Sequence, residues 1–338
     1  MHERNYAIDI AKILGCLLVV MNHATVVMTR FDGTADLAWV SSIIVFFTVK
    51  IGVPLFILAT GTLVLTHARD YRYSGRHALK FGLLLLAWSY LYWLLKPTHP
   101  DWWRFDQFLL AMYKHPQAVH LWYLYMLVAF YLMLPFFSKM LVSFTQRDYH
   151  WFFAGWLLLG ALPLTLQNLG SPNLTGWAHL ELFTGFLGYF ACGQYLRQYR
   201  VSRRTAALLL VAGLSADVLF TVFYSLHNGA VFDGLDNVLA LPSVLAAVGA
   251  YTLIVESFQN VYSAAIAHVS KLTFGIYLIH YALMDPIMQL PFFASALEAK
   301  DGFALLLIQF GIDLIVFCSA LLITQLMNWI PGVRKLVS

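Results

Sequence analysis

Charged side chains are scarce in this sequence. Asp, Glu, Lys and Arg make up 11% of its 338 residues, less than half of the ~25% of an ordinary soluble domain, and the mean hydropathy is +0.71. That deficit excludes a water-soluble fold of this length, whose surface would need the missing charge. Cysteine is scarce too: Cys16, Cys192 and Cys318 each sit inside an apolar run. A disulfide framework and a thiolate metal site are thereby excluded, and all three read as small buried packing residues. No metal is expected. The net charge of +4 is too small for a general nucleic-acid binder. There is no long polar stretch that would fold apart, so residues 1–338 read as a single membrane domain. Low-complexity tracts and internal repeats are also missing, which disfavours a transporter built from inverted halves. The first apolar run keeps Asp9 and Lys12 and lacks a small-residue cleavage site, so it reads as a retained helix and not a signal peptide.

What the sequence has in abundance is apolar length. A helix needs about 20 mostly apolar residues to cross hydrocarbon, and ten windows qualify: Tyr6 to Thr29, Ala38 to Thr66, Leu79 to Leu95, Leu121 to Phe137, Trp151 to Leu166, Leu180 to Leu196, Thr205 to Leu226, Val238 to Phe258, Leu272 to Leu290 and Phe303 to Trp329. The expected fold is all-α, a polytopic bundle of about ten transmembrane helices embedded in a lipid bilayer. Placing both termini in the cytoplasm leaves only Arg30, Lys96, Arg104, Lys114 and Lys300 outside and Lys50 within a span, as the positive-inside rule requires. The outer loop from Lys96 to His120 mixes Trp102, Trp103, Phe105, Phe108 and Tyr113 with charges, a pattern suited to an interfacial amphipathic segment.

A charge inside hydrocarbon costs roughly 2.5–3.5 kcal/mol even on lenient scales, so each one kept there needs a reason. In the first span Asp9 and Lys12 are three residues apart, share a face and can pair. Lys12 and His23 are eleven apart, close to three whole turns, so they fall on one stripe about 16 Å apart along the axis. Histidine takes up and returns a proton near neutral pH, which makes His23 the first candidate for a general base. The competing readings are a histidine hydrogen-bonded to a neighbouring helix and a charge pair that only fixes register. The next loop carries Arg69, Arg72 and Arg76, whose guanidinium forks suit the phosphates of an anionic cytosolic cofactor. Positive-inside topology explains these arginines, and Arg197, Arg200, Arg203 and Arg204, equally well. His120, Trp122 and Tyr123 stand at the mouth of the fourth span, as a binding wall or as part of an aromatic belt. Tyr277 and His280 lie deep in the ninth, Asp217 lies in the seventh, and Glu181 in the sixth is given no role.

Together these pieces resemble the integral membrane acyltransferase-3 family. They are Lys12 to His23 following Asp9, a basic-x10-His element; Val53-Pro-Leu-Phe-Ile-Leu-Ala-Thr-Gly61; Arg69-x-x-Arg72; His120-Leu-Trp-Tyr-Leu; and Ser270-Lys-Leu-Thr-Phe-Gly-Ile-Tyr-Leu-Ile-His280. Two positions depart from the family pattern. Lys12 stands where arginine is commoner, and an ammonium cannot make the same bidentate contact. Thr60 replaces a serine and keeps the hydroxyl.

The resemblance implies an O-acyltransferase of the stand-alone type acting on surface or exported polysaccharide, in a bacterial plasma membrane. Acyl-CoA, usually acetyl-CoA, would be the donor, and a glycan or other hydroxyl compound the acceptor. His23 would act as base or acyl carrier, with Lys12 and Asp9 shaping the inner acyl path. Arg69, Arg72 and Arg76 would hold the CoA phosphates, and His120, Trp122, Tyr123, Tyr277 and His280 would line the acceptor side. The alternative is a transporter or flippase for lipid-linked sugars, whose path the same buried charges would line. Oligomeric state is not legible.

Overall fold

A chain this apolar must pair its backbone N–H and C=O groups internally, and among the described residues it does so with helices alone. The computed structural model describes residues 4–23, 28, 30–96, 102–183, 185–299 and 301–337, apart from the side chains of Trp177, Glu181, Leu182 and Ala299. Thr29 and Lys300 therefore lie outside the described residues, as does the Glu181 side chain.

In chain order the helices are α1 (Tyr6–Asn22), α2 (Leu37–Lys50), α3 (Gly52–Val64), α4 (Tyr71–Leu95), α5 (Phe105–Lys114), α6 (Trp122–Ser143), α7 (Gln146–Gly155), α8 (Leu162–Asn168), α9 (Leu174–Trp177), α10 (Leu187–Gln198), α11 (Arg203–Asn228), α12 (Leu241–Ser257), α13 (Ala264–Met288), α14 (Pro291–Ala299) and α15 (Gly302–Trp329). Side chains fix several starts: Asp36, Asp70, Ser202 and Ser263 accept from the N–H groups of Trp39, Tyr73, Thr205 and Ile266, as N-caps do. Thr145 and Asp148 form a capping box at α7. Gly229, at φ +64°, closes α11 in the left-handed region.

Helical segments overlie all ten apolar windows. Six runs among the described residues are long and apolar enough to cross a membrane: Leu37–Val64, Tyr71–Leu95, Val119–Ser143, Gln146–Asn168, Arg203–Asn228 and Gly302–Trp329. The molecule is thus an all-α, multi-pass membrane protein. The windows are less uniform than their composition suggests. The second is broken by a turn at Ile51 between α2 and α3, and the fifth passes through a π-helical segment, Trp156–Ala161, between α7 and α8. The loop after α4, expected to lie outside, contains the short helix α5, which buries Phe108 and leaves Tyr113 exposed.

Helix α1 packs against α2, α3, α12, α13 and α15, and this central position places its polar residues inside protein. Its approach to α3 is close. A Cβ on Gly52 would lie 2.9 Å from the Gly15 carbonyl oxygen and from the Val19 nitrogen, and one on Gly61 would lie 2.1 Å from the Phe190 carbonyl oxygen. Small residues at such crossings let backbones meet in the membrane, so the Val53-to-Gly61 stretch wedges α3 between α1 and α10. One packing expectation fails: Cys16 and Cys192 are buried, but Cys318 is exposed on α15. Its position in an apolar run marked it as lipid-compatible, which burial in protein does not follow from.

Candidate functional site

Three imidazoles from three parts of the chain meet at one end of the bundle. His23 caps the C-terminal end of α1, His120 sits on the short turn Val119–Leu121 that leads into α6, and His280 lies in α13. Ring centroids are 5.2 Å apart for His23 and His280, 5.1 Å for His120 and His280, and 6.4 Å for His23 and His120. Tyr281 packs 5.4 Å from His23 and 5.2 Å from His120. Tyr92 closes the far side, 5.1 Å from His120.

Backbone carbonyls anchor this cluster. The Tyr277 hydroxyl donates to the His120 carbonyl, and the Tyr92 hydroxyl donates to the Leu278 carbonyl at 2.8 Å. His280 Nδ1 is 2.7 Å from the Tyr277 carbonyl. A carbonyl only accepts, so Nδ1 carries the proton and Nε2 of the neutral ring keeps its lone pair. Among the described residues, that Nε2 has no hydrogen-bond partner, and neither ring nitrogen of His120 has one, although the two residues are 0% and 2% exposed. A buried polar atom left unpaired costs about 1–3 kcal/mol, and native structures keep few of them. No group of three His, Cys, Asp or Glu among the described residues is arranged to hold a metal.

The cluster opens on a cavity of about 370 Å³, whose wall includes His23, His120, Trp122, Tyr123 and Tyr277. Trp122 stacks on Phe186 with centroids 5.3 Å apart, a flat apolar side to this cavity. Lys50 and Asp236 form an ion pair of 2.6 Å on the same wall. Trp122 also borders a larger cavity of about 910 Å³ at the same end, with Tyr92, Lys96, Gln117 and Asp285.

The opposite end of α1 is arranged differently. Asp9 and Lys12, expected to pair with each other, meet instead through Ser270 of α13. Asp9 accepts from Arg4 at 2.5 Å and from the Ser270 hydroxyl at 2.6 Å, and Lys12 donates to the Ser270 hydroxyl and carbonyl, both at 3.2 Å. The three-residue spacing was read as a helix-surface pair, but α13 packs between the two side chains and supplies a nearer partner. The hydrogen bond from Arg4 to Asp9 pushes the Arg4 pKa up, against burial, which lowers it.

At this same end Arg69 donates to the Val64 carbonyl at 2.7 Å and lies 4.5 Å over the Tyr73 ring, so it caps the C-terminus of α3. Arg72 and Arg76 are exposed on the first turns of α4.

A family model for the acyltransferase domain Acyl_transf_3 matches residues 5–329, from the N-cap of α1 to the last residue of α15. The chain belongs to the acyltransferase-3 family. Comparison with curated proteins and with solved structures finds no match. In this acyltransferase four of the five sequence elements that carried the resemblance meet at two places, and the fifth, Val53 to Gly61, runs between them along α3. The His120 and His280 elements join His23 at one end of α1. The Arg69 element lies at the other end, as does Ser270, the first residue of the last element.

Sequence reasoning passed over Lys50, Asp236, Tyr92 and Tyr281. Lys50 carried a usable signal, a cation inside an apolar span with no assigned purpose. Asp236 carried none, because nothing in the loop before α12 distinguishes it from the neighbouring Asp233.

Proposed function

We propose that this protein transfers an acyl group, acetyl in the simplest case, from acyl-CoA to a hydroxyl of a surface or exported polysaccharide. The observation that carries the proposal is the His23–His120–His280 cluster, with ring nitrogens of His120 and His280 unpaired among the described residues, opening on a cavity that also holds an aromatic side and an ion pair. The family is one of acyltransferases, which leaves the flippase reading without support.

In this reading the chain crosses a bacterial plasma membrane about ten times with both termini inside, as one membrane domain. The Arg4 and Arg69 end of α1 then faces the cytoplasm, and the histidine end faces outward. Acyl-CoA arrives from the cytoplasm, drawn by Arg69, Arg72 and Arg76, and passes Lys12 and Asp9 toward His23. The acceptor enters past Trp122 from the opposite side, with Tyr123 and Tyr277 along its path.

His23 takes the proton of the acceptor hydroxyl as its oxygen attacks the thioester carbonyl. The C–S bond breaks, the ester stays on the acceptor, and the proton leaves with CoA as its thiol. Such a positioned base contributes about 10²- to 10⁴-fold. Two imidazoles within about 6 Å can hold His23 in the required tautomer or pass its proton on. Attack by His23 itself, giving a transient acyl-imidazole, uses the same geometry.

The test is thiol release in membranes containing the protein, supplied with acetyl-CoA. Free CoA thiol should appear only when a polysaccharide acceptor is added, with matching ester gain on that acceptor. Sugar-lipid movement without thiol release would overturn the proposal.

A further inference from the structure

We infer that the cavity bounded by Arg4, Arg197 and Arg200, and not the Arg69 loop, seats the phosphate-bearing nucleotide end of the acyl donor. The inference rests on the acyl-CoA reading above and deepens it. The cavity, about 360 Å³, lies at the Arg4 end of α1 and reaches Ile8 of α1 and Thr62 of α3. That volume falls within the roughly 300–1,000 Å³ of small-ligand pockets.

Its guanidinium groups differ in how far they are committed. Arg4 is neutralised by Asp9 and also donates to the Ala267 carbonyl at 2.9 Å. Among the described residues Arg197 donates to the Thr62 carbonyl alone, loosely at 3.4 Å, and is exposed, as is Arg200. Arg197 and Arg200 therefore bring two available forks to one concave wall, the arrangement that binds phosphate bidentately. The Arg69 fork, by contrast, already holds the end of α3.

Two further features favour a nucleotide over a bare phosphate. Tyr262 borders the cavity with 74% of its surface exposed and packs edge to face on Tyr6 at 5.7 Å, a ring face available to a nucleobase. Glu256, fixed by Gln259 at 2.7 Å, puts a carboxylate on the same wall. It would repel an isolated anion but accepts from an amino or hydroxyl group of a nucleoside.

The reach also agrees. Ile8 and His23 are fifteen residues apart on α1, ~22 Å at 1.5 Å per residue. The dozen or so bonds of a pantetheine arm cover roughly 15 Å when extended. The attacking hydroxyl and its hydrogen bond to imidazole fill about 5 Å more.

The experiment measures CoA binding to the full chain in nanodiscs of phosphatidylcholine, which supply no net anionic headgroup. Arg197→Ser with Arg200→Ser should weaken CoA at least tenfold. Arg147→Ser with Lys271→Ser, an equal loss of charge at exposed positions elsewhere, should leave CoA affinity unchanged. Adenosine 3′,5′-bisphosphate should compete with CoA, and Arg197→Lys with Arg200→Lys, which keeps charge but not the forks and guards against misfolding, should weaken CoA a few-fold. Unchanged CoA affinity in both arginine pairs would overturn the inference while leaving the acyl-CoA reading intact. In a parallel measurement with phosphatidylglycerol added to the nanodiscs, loss of its retention by the serine pair with CoA affinity unchanged would reassign the seat to a lipid headgroup and overturn the inference as well. A wild-type chain that binds no CoA would sink both.

Discussion

The two ends of α1 use similar polar residues to opposite effect. At one end Arg4, Asp9, Lys12 and Ser270 satisfy one another within 3.2 Å, across α1 and α13. At the other, His120 and His280 keep ring nitrogens unpaired although almost fully buried. A satisfied network lowers the energy of one packing arrangement, whereas an unsatisfied one forgoes that gain. The first end therefore reads as the clamp that sets the register of α1 on α13, and the second as the place kept ready for something the protein meets later.

Substitutions at the two ends should separate stability from rate. The largest effect is expected for Asp9→Ala, which strands the Arg4 guanidinium and the Ser270 hydroxyl. Arg4 is 37% exposed, so the loss falls below that of a fully buried pair, about 2–3 kcal/mol with the buried Ser270 hydrogen bond included, and thermal unfolding in nanodiscs should move down by several degrees. A midpoint within a degree or two of wild type would show that the clamp is ornamental. Next comes His120→Phe, which removes two unpaired nitrogens and keeps the ring volume. Stability should hold or rise, while transfer in membranes should fall about 10²-fold. A variant that loses stability and keeps its rate would reverse the comparison.

Smaller effects sharpen the same contrast. Ser270→Ala removes the hydroxyl shared by Asp9 and Lys12 and should cost about 1–3 kcal/mol in the same unfolding assay, with the KM for acceptor unaltered. Lys50→Met breaks the ion pair with Asp236. That pair is partly exposed, so about 1 kcal/mol or less of stability is at stake. The KM for acceptor should rise a few-fold because one wall of the cavity beside His23 loses its polar edge. A rise in the KM for acyl-CoA instead would place Lys50 on the donor's path.

Much of this arrangement could be read from residue order, and the reasons differ from element to element. His23 and His280 stood out because a titratable group inside hydrocarbon is costly. His120 stood out only through the His-Leu-Trp-Tyr element beside it, since an interfacial aromatic belt fits the same residues. Helical positions followed from apolar length, but the turn at Ile51 did not, because it falls inside an unbroken apolar run. The partners of Asp9 and Lys50 could not be read at all. Ser270 and Asp236 lie far along the chain, and local spacing carries no information on which distant helix will pack there. A second use of Arg69 was equally out of sight: its spacing suggested a phosphate fork, and the fold also has it donate to the Val64 carbonyl at the end of α3.

Transfer by the proposed route depends most on His23 acting on a proton. The direct measurement is acyl transfer from labelled acetyl-CoA to polysaccharide in membranes holding equal amounts of wild-type and His23→Ala protein, with unfolding midpoints recorded for both. A loss of about 10²-fold or more at an unchanged midpoint is the predicted result. Transfer at the wild-type rate would contradict it and remove this imidazole from the chemistry.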